Sequence, residues 1–561
     1  MRETNMMQKT EGCTPEELLF YIYFAVMLLC KGLGLVDGPL YRLCLAGSSL
    51  LVLAKLLVDK YTAAEYALSV LLLALGAAVM LSSHNQGVLL CVLPVVAMKH
   101  IDLRRCCREA ALFWGGAFVL RVLTQLAGLG SRDFVIHDKL RLGYVIRWAL
   151  GYSHPNVLMI AYVVLLFYLG CTLRPEGREL WRFLTAALLG GGYIFLYSLS
   201  VTGLLFLFIF LALAFLFDAV RRREERVQSG RQGTGHPSAL LAAERLLIRL
   251  VFPAAAGISV IGPLTFKGRL FDFFNRLLNT RFFLSKYMLT RENLSLFGRD
   301  LFDATLTLDC SYTNLLISGG SIAFVLMAAA YLLLIHDMIK DMDTAEGCFA
   351  MAGTLALLVA GMSEPFLFNT SFKNATLPFM GCYLYRRLAR SGGREYRIIR
   401  LPEMLRALIR RKTAELSVWI MKKQLRLRDA ALRLRAALLR RKGAAAALFL
   451  AGALCGVWAG LCLVRVPSVV YAPRSSSTAD DTRKNLYFTR EQVAALEQTQ
   501  GAAVLGYRDE MTPMQEFADP GLARMERLRA AGSLALAGGC AGLLITGICP
   551  ACPRRRTRRK S

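Results

Sequence analysis

The chain has 561 residues, is 55% hydrophobic with a mean hydropathy of +0.44, and carries a formal net charge of +28 at pH 7. That apolar content exceeds what a soluble core of this length needs, and it gathers into blocks of bilayer-spanning length, which excludes an ordinary soluble enzyme. Much of the basic excess lies in 386–442 and in the tail 554–560, where apposition to anionic lipid accounts for it, so no nucleic-acid partner is expected.

Backbone polar groups find no water in hydrocarbon, so the apolar blocks must be helices. Spans are expected near 17–36, 39–58, 64–82, 85–98, 108–128, 155–172, 182–199, 201–218, 247–264, 311–335, 347–363, 374–387, 444–464 and 531–549. The first lacks a small-residue cleavage site and is expected to remain as an anchor. Lys55/Lys60, Arg104/Arg105/Arg108, Arg174/Arg178/Arg182 and Arg221/Arg222/Arg223 follow alternate spans. Basic residues are retained on the cytoplasmic side, so this phase puts both termini in the cytoplasm and the loops 129–154, 265–310, 364–373 and 465–530 outside. The expected fold is an all-α polytopic membrane protein in three parts. A body over 1–388 has about twelve core transmembrane helices. A basic amphipathic cytoplasmic linker covers 389–443. A two-helix unit over 444–561 encloses an external segment, 465–530, with a charged helix-like stretch from Thr489 to Gln500. The linker reads equally as a surface-lying helix or a solvated spacer. The terminal unit reads as a plain accessory hairpin, without which the body should still act. Most of the 15 cysteines fall in spans or on the cytoplasmic side, and Cys549-Pro-Ala-Cys552 is a single pair short of a zinc site, so no metal is expected.

Five elements could carry chemistry. In chain order, the first is Gly151-Tyr-Ser-His-Pro-Asn156, preceded by Arg147, at the point where an external loop becomes a helix. Pro155 suits a first turn and Ser153 a cap, so His154 and Asn156 either finish that cap or face a ligand. The second is Leu196-Tyr-Ser-Leu-Ser-Val-Thr-Gly203, a polar break read as a hairpin turn or a broken helix. The third is the loop 265–310, where Leu270, Phe271, Phe274, Leu277, Leu278 and Phe282 form one apolar stripe with Arg276 and Arg281 among them. Such a helix would lie in the headgroup plane, and guanidinium groups bind phosphate oxygens in pairs. The fourth is Asp309-Cys-Ser-Tyr312 with Asn314, followed by Gly319-Gly320. The fifth is Ser363-Glu364-Pro-Phe, leading to Asn374. Carboxylates at the mouth of a bundle become general bases when burial raises their pKa, and otherwise are solvated.

Taken in order, these elements resemble the O-antigen ligase/polymerase family. Arg147-Trp-Ala-Leu-Gly-Tyr-Ser-His-Pro-Asn156 is similar to its R-x-A-L-G-F-x-H-P-N element. Leu277-Leu-Asn-Thr-Arg281, Leu296-Phe-Gly298 and Asp309-Cys-Ser-Tyr312 resemble its Gram-positive polymerase branch, and Glu364 with Asn374 its later pair. The chain departs at Val201, where the family commonly has arginine. The resemblance implies a membrane glycosyltransferase of C-type architecture in the bacterial cytoplasmic membrane. It would use a polyprenyl-diphosphate-linked oligosaccharide donor and a glycan acceptor, with no cofactor. Arg281, His154, Asp309 and Glu364 are the implied catalytic residues, and Arg147, Asn156, Arg299, Tyr312 and Asn374 the substrate-binding ones. Membrane lipids are expected partners, and a chain-length regulator is a further one that the terminal layout suggests. A ligase of the same family, a transporter or flippase of lipid-linked glycans, and a non-enzymatic scaffold are the alternatives.

Overall fold

The computed structural model describes residues 12–35, 38–127, 129, 134–139, 143–230, 239–278, 280–291, 293–300, 308–440, 442–464, 466, 469–473, 514–518 and 520–548. The helix-like stretch expected at Thr489 to Gln500 and the Cys549/Cys552 pair lie outside the described residues. Helices dominate: α1 Pro15–Gly32, α2 Gly38–Val58, α3 Ala63–Ser83, α4 Gly87–Ala97, α5 Leu103–Leu126, α6 Pro155–Leu173, α7 Arg178–Ser198, α8 Val201–Gly230 and α9 Ala239–Val260 come first. The loop helices α10 Gly268–Leu277 and α11 Arg281–Arg291 follow, then α12 Gly320–Met338, α13 Ala345–Ala360, α14 Leu377–Ala389, α15 Glu403–Arg440, α16 Lys442–Cys462 and α17 Pro520–Ile548. Among the described residues, eight helices are long and apolar enough to cross a membrane, and Gly87–Ala97 and Ala345–Ala360 are shorter apolar ones. The chain is thus a mainly helical protein of polytopic membrane type.

Local sequence explains where helices begin. Thr14 with Glu17 and Thr62 with Glu65 form reciprocal capping boxes, each satisfying two backbone N–H groups, and Thr344 caps α13. Proline occupies the first turn of α1, α6 and α14. Close helix packing rests on small residues. Gly170 on α6 faces the Phe349 ring of α13, and Gly353 on α13 faces the Phe167 ring of α6, so any Cβ at either glycine would overlap an aromatic ring. Lipid supplies no hydrophobic drive between spans, and such close approach is what holds them together.

Two departures from the expected all-α fold are small antiparallel ribbons. Phe134–Lys139 (β1) pairs with Gly143–Trp148 (β2), and Val469–Pro473 (β3) with Met514–Ala518 (β4). Both fall in segments expected outside the membrane, where β-branched and aromatic runs such as Tyr144, Val145 and Ile146 favour extended backbone. The single apolar stripe expected from Leu270 to Phe282 is also interrupted. The chain breaks between α10 and α11 with Thr280 at φ +68, leaving Arg276 exposed while Arg281 turns inward. Phe266, Phe274 and Phe282 stack across the break with centroids 5.3 to 5.9 Å apart.

The segment that follows α11 returns onto the bundle through glycine. Ser311–Asn314 forms one helical turn and Leu315–Gly319 a π-helical segment before α12. Ser321 N–H donates to Ser295 O at 2.9 Å and Ser82 Oγ to Gly298 O at 2.7 Å. Gly298 and Gly320 both sit at positive φ, +79 and +87, and a Cβ on Gly320 would overlap Gly298 N and Leu296 O. Gly320→Ala is therefore expected to cost about 1–3 kcal/mol, read as a lowered melting temperature of the solubilised protein. An unchanged transition would show that this crossing does not need glycine.

At the other end of the body the linker is sewn down by buried charge. Lys99 Nζ pairs with Glu65 (2.5 Å) and Glu395 (2.9 Å), Tyr61 bridges Tyr396, and Glu16 takes Arg397 and Arg406. After this anchor the linker becomes the single helix α15. Helix α4 joins two ends of the molecule, with Gly87 against Phe368 O and the Lys99 cluster just past Ala97, roughly 17 Å of helix between them. A cavity of about 220 Å³ between α3, α4, α12 and α14 is almost wholly apolar, with Leu72, Val92, Met327 and Met380 among its walls, and includes none of the residues of the polar cluster described next.

The C-terminal pair is packed tightly onto the body. Helices α16 and α17 meet through Gly452 against Gly538, Gly456 against Leu534 and Gly460 against Ala531. Helix α17 then inserts Arg529, 2% exposed, between β2 and α7. Its Nη2 donates to Ile146 O (2.6 Å) and Tyr197 O (3.4 Å), its Nε to Leu196 O (2.7 Å), and it pairs with Glu526. Trp148 Nε1 donates to the same Glu526 at 3.1 Å, and Ser533 bonds the Tyr193 and Tyr197 hydroxyls. An accessory hairpin would not be expected to bury an arginine in the body.

Candidate active site

Strand β2 delivers Arg147, and a sharp turn follows it. Leu150 and Gly151 take successive left-handed conformations, φ +45 and +86, and Arg121 locks the turn by donating Nε and Nη2 to Gly151 O at 2.9 and 2.7 Å. A Cβ on Gly151 would overlap that guanidinium, which explains the glycine. The turn leads into α6. Its N-cap is His154 rather than the expected Ser153: the extended His154 accepts from Asn156 N–H through Nδ1 at 3.2 Å, while Ser153 is exposed.

Asn156 is then fixed from two sides. Its Oδ1 accepts from Arg147 Nη2 at 2.6 Å, and its Nδ2 donates to Glu364 Oε1 at 2.9 Å. Arg147 also donates Nε to Ser198 O at 2.8 Å, at the end of α7. The polar break is a tight turn. Leu199 is left-handed at φ +44, Ser200 Oγ accepts from Gly203 N–H, and Thr202 Oγ1 donates to Glu364 Oε1 at 3.3 Å. Val201, where the resembling family has arginine, is 62% exposed and takes no part.

Glu364 is the hub. Its backbone is set by Ser311, whose Oγ donates to Glu364 O at 2.5 Å and accepts from Leu367 N–H at 3.2 Å. Its carboxylate receives Arg281 Nη2 at 3.5 Å, and the same Nη2 lies 3.1 Å from Asp309 Oδ2. Arg281 is 8% exposed, and its Nε is buried without a hydrogen-bond partner among the described residues. An orphaned guanidinium N–H beside a half-exposed carboxylate is a place left for an acceptor atom. Burial pushes Glu364 up to about 7, with Asp309 adding to the rise and Arg281, Thr202 and Asn156 opposing it. Burial likewise raises Asp309 against the pull of Arg281. Arg147 is drawn down to about 10 by burial, with the positive Arg281 adding to it and Glu364 opposing.

Six of the expected residues thus belong to one network: Arg147, His154, Asn156, Arg281, Asp309 and Glu364. Three do not. Tyr312 is buried among Phe252 and Phe368, and its hydroxyl is used by Leu358 O at 2.7 Å, so it is a core residue. Asn374 braces its own loop, donating to Leu367 O and Tyr331 OH and accepting from Thr376. Arg299 ties down the segment between α11 and α12, donating Nη1 to Asn293 O at 3.2 Å and its amide to Ile317 O. Ser198 and Ser311 lie inside two of the singled-out elements but carried no assigned role, since their contributions depend on tertiary contacts that no local pattern announces. Compared with family models, curated proteins and solved structures, the chain matches none.

Proposed function

We propose that this chain is a multi-pass glycosyltransferase of the bacterial cytoplasmic membrane that polymerises or transfers polyprenyl-diphosphate-linked oligosaccharides on the outer side. The proposed topology has about twelve core spans and a terminal pair, with both termini cytoplasmic. The observation that supports this most is the meeting of two guanidinium groups and two carboxylates, Arg147, Arg281, Asp309 and Glu364, brought from four separate segments. In this proposal the acceptor hydroxyl oxygen attacks the anomeric carbon as the bond from that carbon to the diphosphate oxygen breaks. The diphosphate leaves with the electron pair, Arg281 neutralises it, and the hydroxyl proton passes to Glu364. His154 holds Asn156, and through it the hub, rather than reacting itself.

A base with a pKa of about 7 must be ionised to act, so turnover should rise as pH increases through that value and level off above it. Glu364→Gln is expected to lose on the order of 10²-fold in rate together with that limb. A Gln variant that kept the limb would remove Glu364 from the base role. The function itself is tested by deleting the gene: a lipid-diphosphate-linked oligosaccharide should accumulate, and a normal lipid-linked pool would reject the proposal.

A further inference from the structure

Lys373 is 5% exposed, and its side chain has no hydrogen-bond or ion-pair partner among the described residues. Its backbone is held on both sides. Phe372, at φ +55, packs its ring against Tyr23 (6.5 Å) and Phe24 (6.2 Å) of α1, and Asn374 is buried in its own hydrogen bonds. Two turns beyond Phe24 on α1 stands Lys31, 2% exposed, with Nζ 3.7 Å from the centre of the Tyr41 ring. The charged groups that act on Lys373 are Lys31, of like sign, and Glu364, whose carboxylate already answers Asn156, Thr202 and Arg281. Burying an ammonium costs several kcal/mol unless an anion accompanies it, and a second ammonium adds to that cost.

We propose that Lys373 and Lys31 form a second oxyanion site, separate from Arg281, that takes the diphosphate of a second lipid-linked chain. The lipid-linked identity of that ligand rests on the function proposed above; the anion site does not. Lysine serves as a compact point charge for phosphate, whereas Arg281 offers a fork, so the two positions suit one leaving group and one retained headgroup. Burial, with Lys31 adding to it, pulls the Lys373 ammonium down to about 7, so an arriving anion would also restore its charge.

The test titrates the full-length protein in neutral detergent with inorganic pyrophosphate by calorimetry, and follows its melting temperature. Wild type should bind two equivalents. Lys373→Met and Arg281→Lys should each lose one class of site or weaken it at least tenfold, while Lys373→Arg keeps both. Without pyrophosphate, Lys373→Met should melt at or above the wild-type temperature, because it removes an unpaired buried charge. Two unaltered equivalents in Lys373→Met, or no binding to wild type, would overturn the proposal. Loss at Arg281→Lys alone would overturn it too, yet leave the Arg281 role standing. Loss at Lys373→Met alone would support the second site while rejecting Arg281 as a phosphate ligand. If Lys373→Met instead lost only protection by phosphatidylglycerol micelles, the site would be a phospholipid headgroup site and the diphosphate assignment would fall.

Discussion

Arg281→Ala is expected to lower polymer formation from a lipid-diphosphate-linked oligosaccharide by on the order of 10²-fold or more, with the loss falling on kcat rather than KM. The reason is positional. Arg281 opens α11 with its guanidinium turned inward, one nitrogen shared by Asp309 and Glu364 and another with no acceptor among the described residues. A group held that way, largely out of water, acts on developing negative charge without reorganising. Removing it also leaves Asp309 and Glu364 facing each other without the cation that lowers both, so the midpoint of the rising pH limb should move above about 7. Arg281→Lys keeps charge but loses the fork and should fall between. Wild-type activity in Arg281→Ala, in a protein that still folds, would end the assignment.

Arg529→Ala is expected to destabilise the protein by about 3–5 kcal/mol, because it strands three backbone carbonyls and leaves the carboxylate of Glu526 without its cation. The damage should not stop at stability. Ile146 O, which Arg529 grips, precedes Arg147, and Leu196 and Tyr197 precede Ser198, whose carbonyl receives Arg147. Loosening that clamp lets β2 and the end of α7 drift apart, and a displacement of about 1 Å in a positioning group can cost 10²-fold. Arg529→Lys should recover part of the stability and less of the activity. Truncation before α16 should resemble Arg529→Ala, whereas a fully active body after truncation would make the terminal pair the accessory hairpin that its sequence suggests.

The helices were legible because each carries its own signal. Apolar runs of spanning length and the first-turn Pro155 are local statements. The meeting of Arg147, Asn156, Arg281 and Glu364 was legible for another reason: polar residues interrupting apolar blocks have few purposes, and here they share one hydrogen-bonded network. Tyr312 and Asn374 looked alike in sequence and proved to be packing and loop residues, since a hydroxyl or amide beside a motif does not reveal whether a backbone carbonyl has already claimed it. The β1–β2 ribbon was missed because loop length hides extended pairing. Arg529 was unreadable in principle, as it looks like one more basic residue near a span until the carbonyls of Ile146 and Leu196, more than three hundred positions away, are seen around it.

The Glu364 carboxylate is lopsided. Asn156, Thr202 and Arg281 all aim at Oε1, and among the described residues none donates to Oε2. One atom of the group is thereby an anchor and the other a free hand. The same three donors that fix where the side chain points leave a lone pair of known direction on its twin, so in the proposed reaction the orientation of the base and its acceptance of a proton would not compete for the same oxygen.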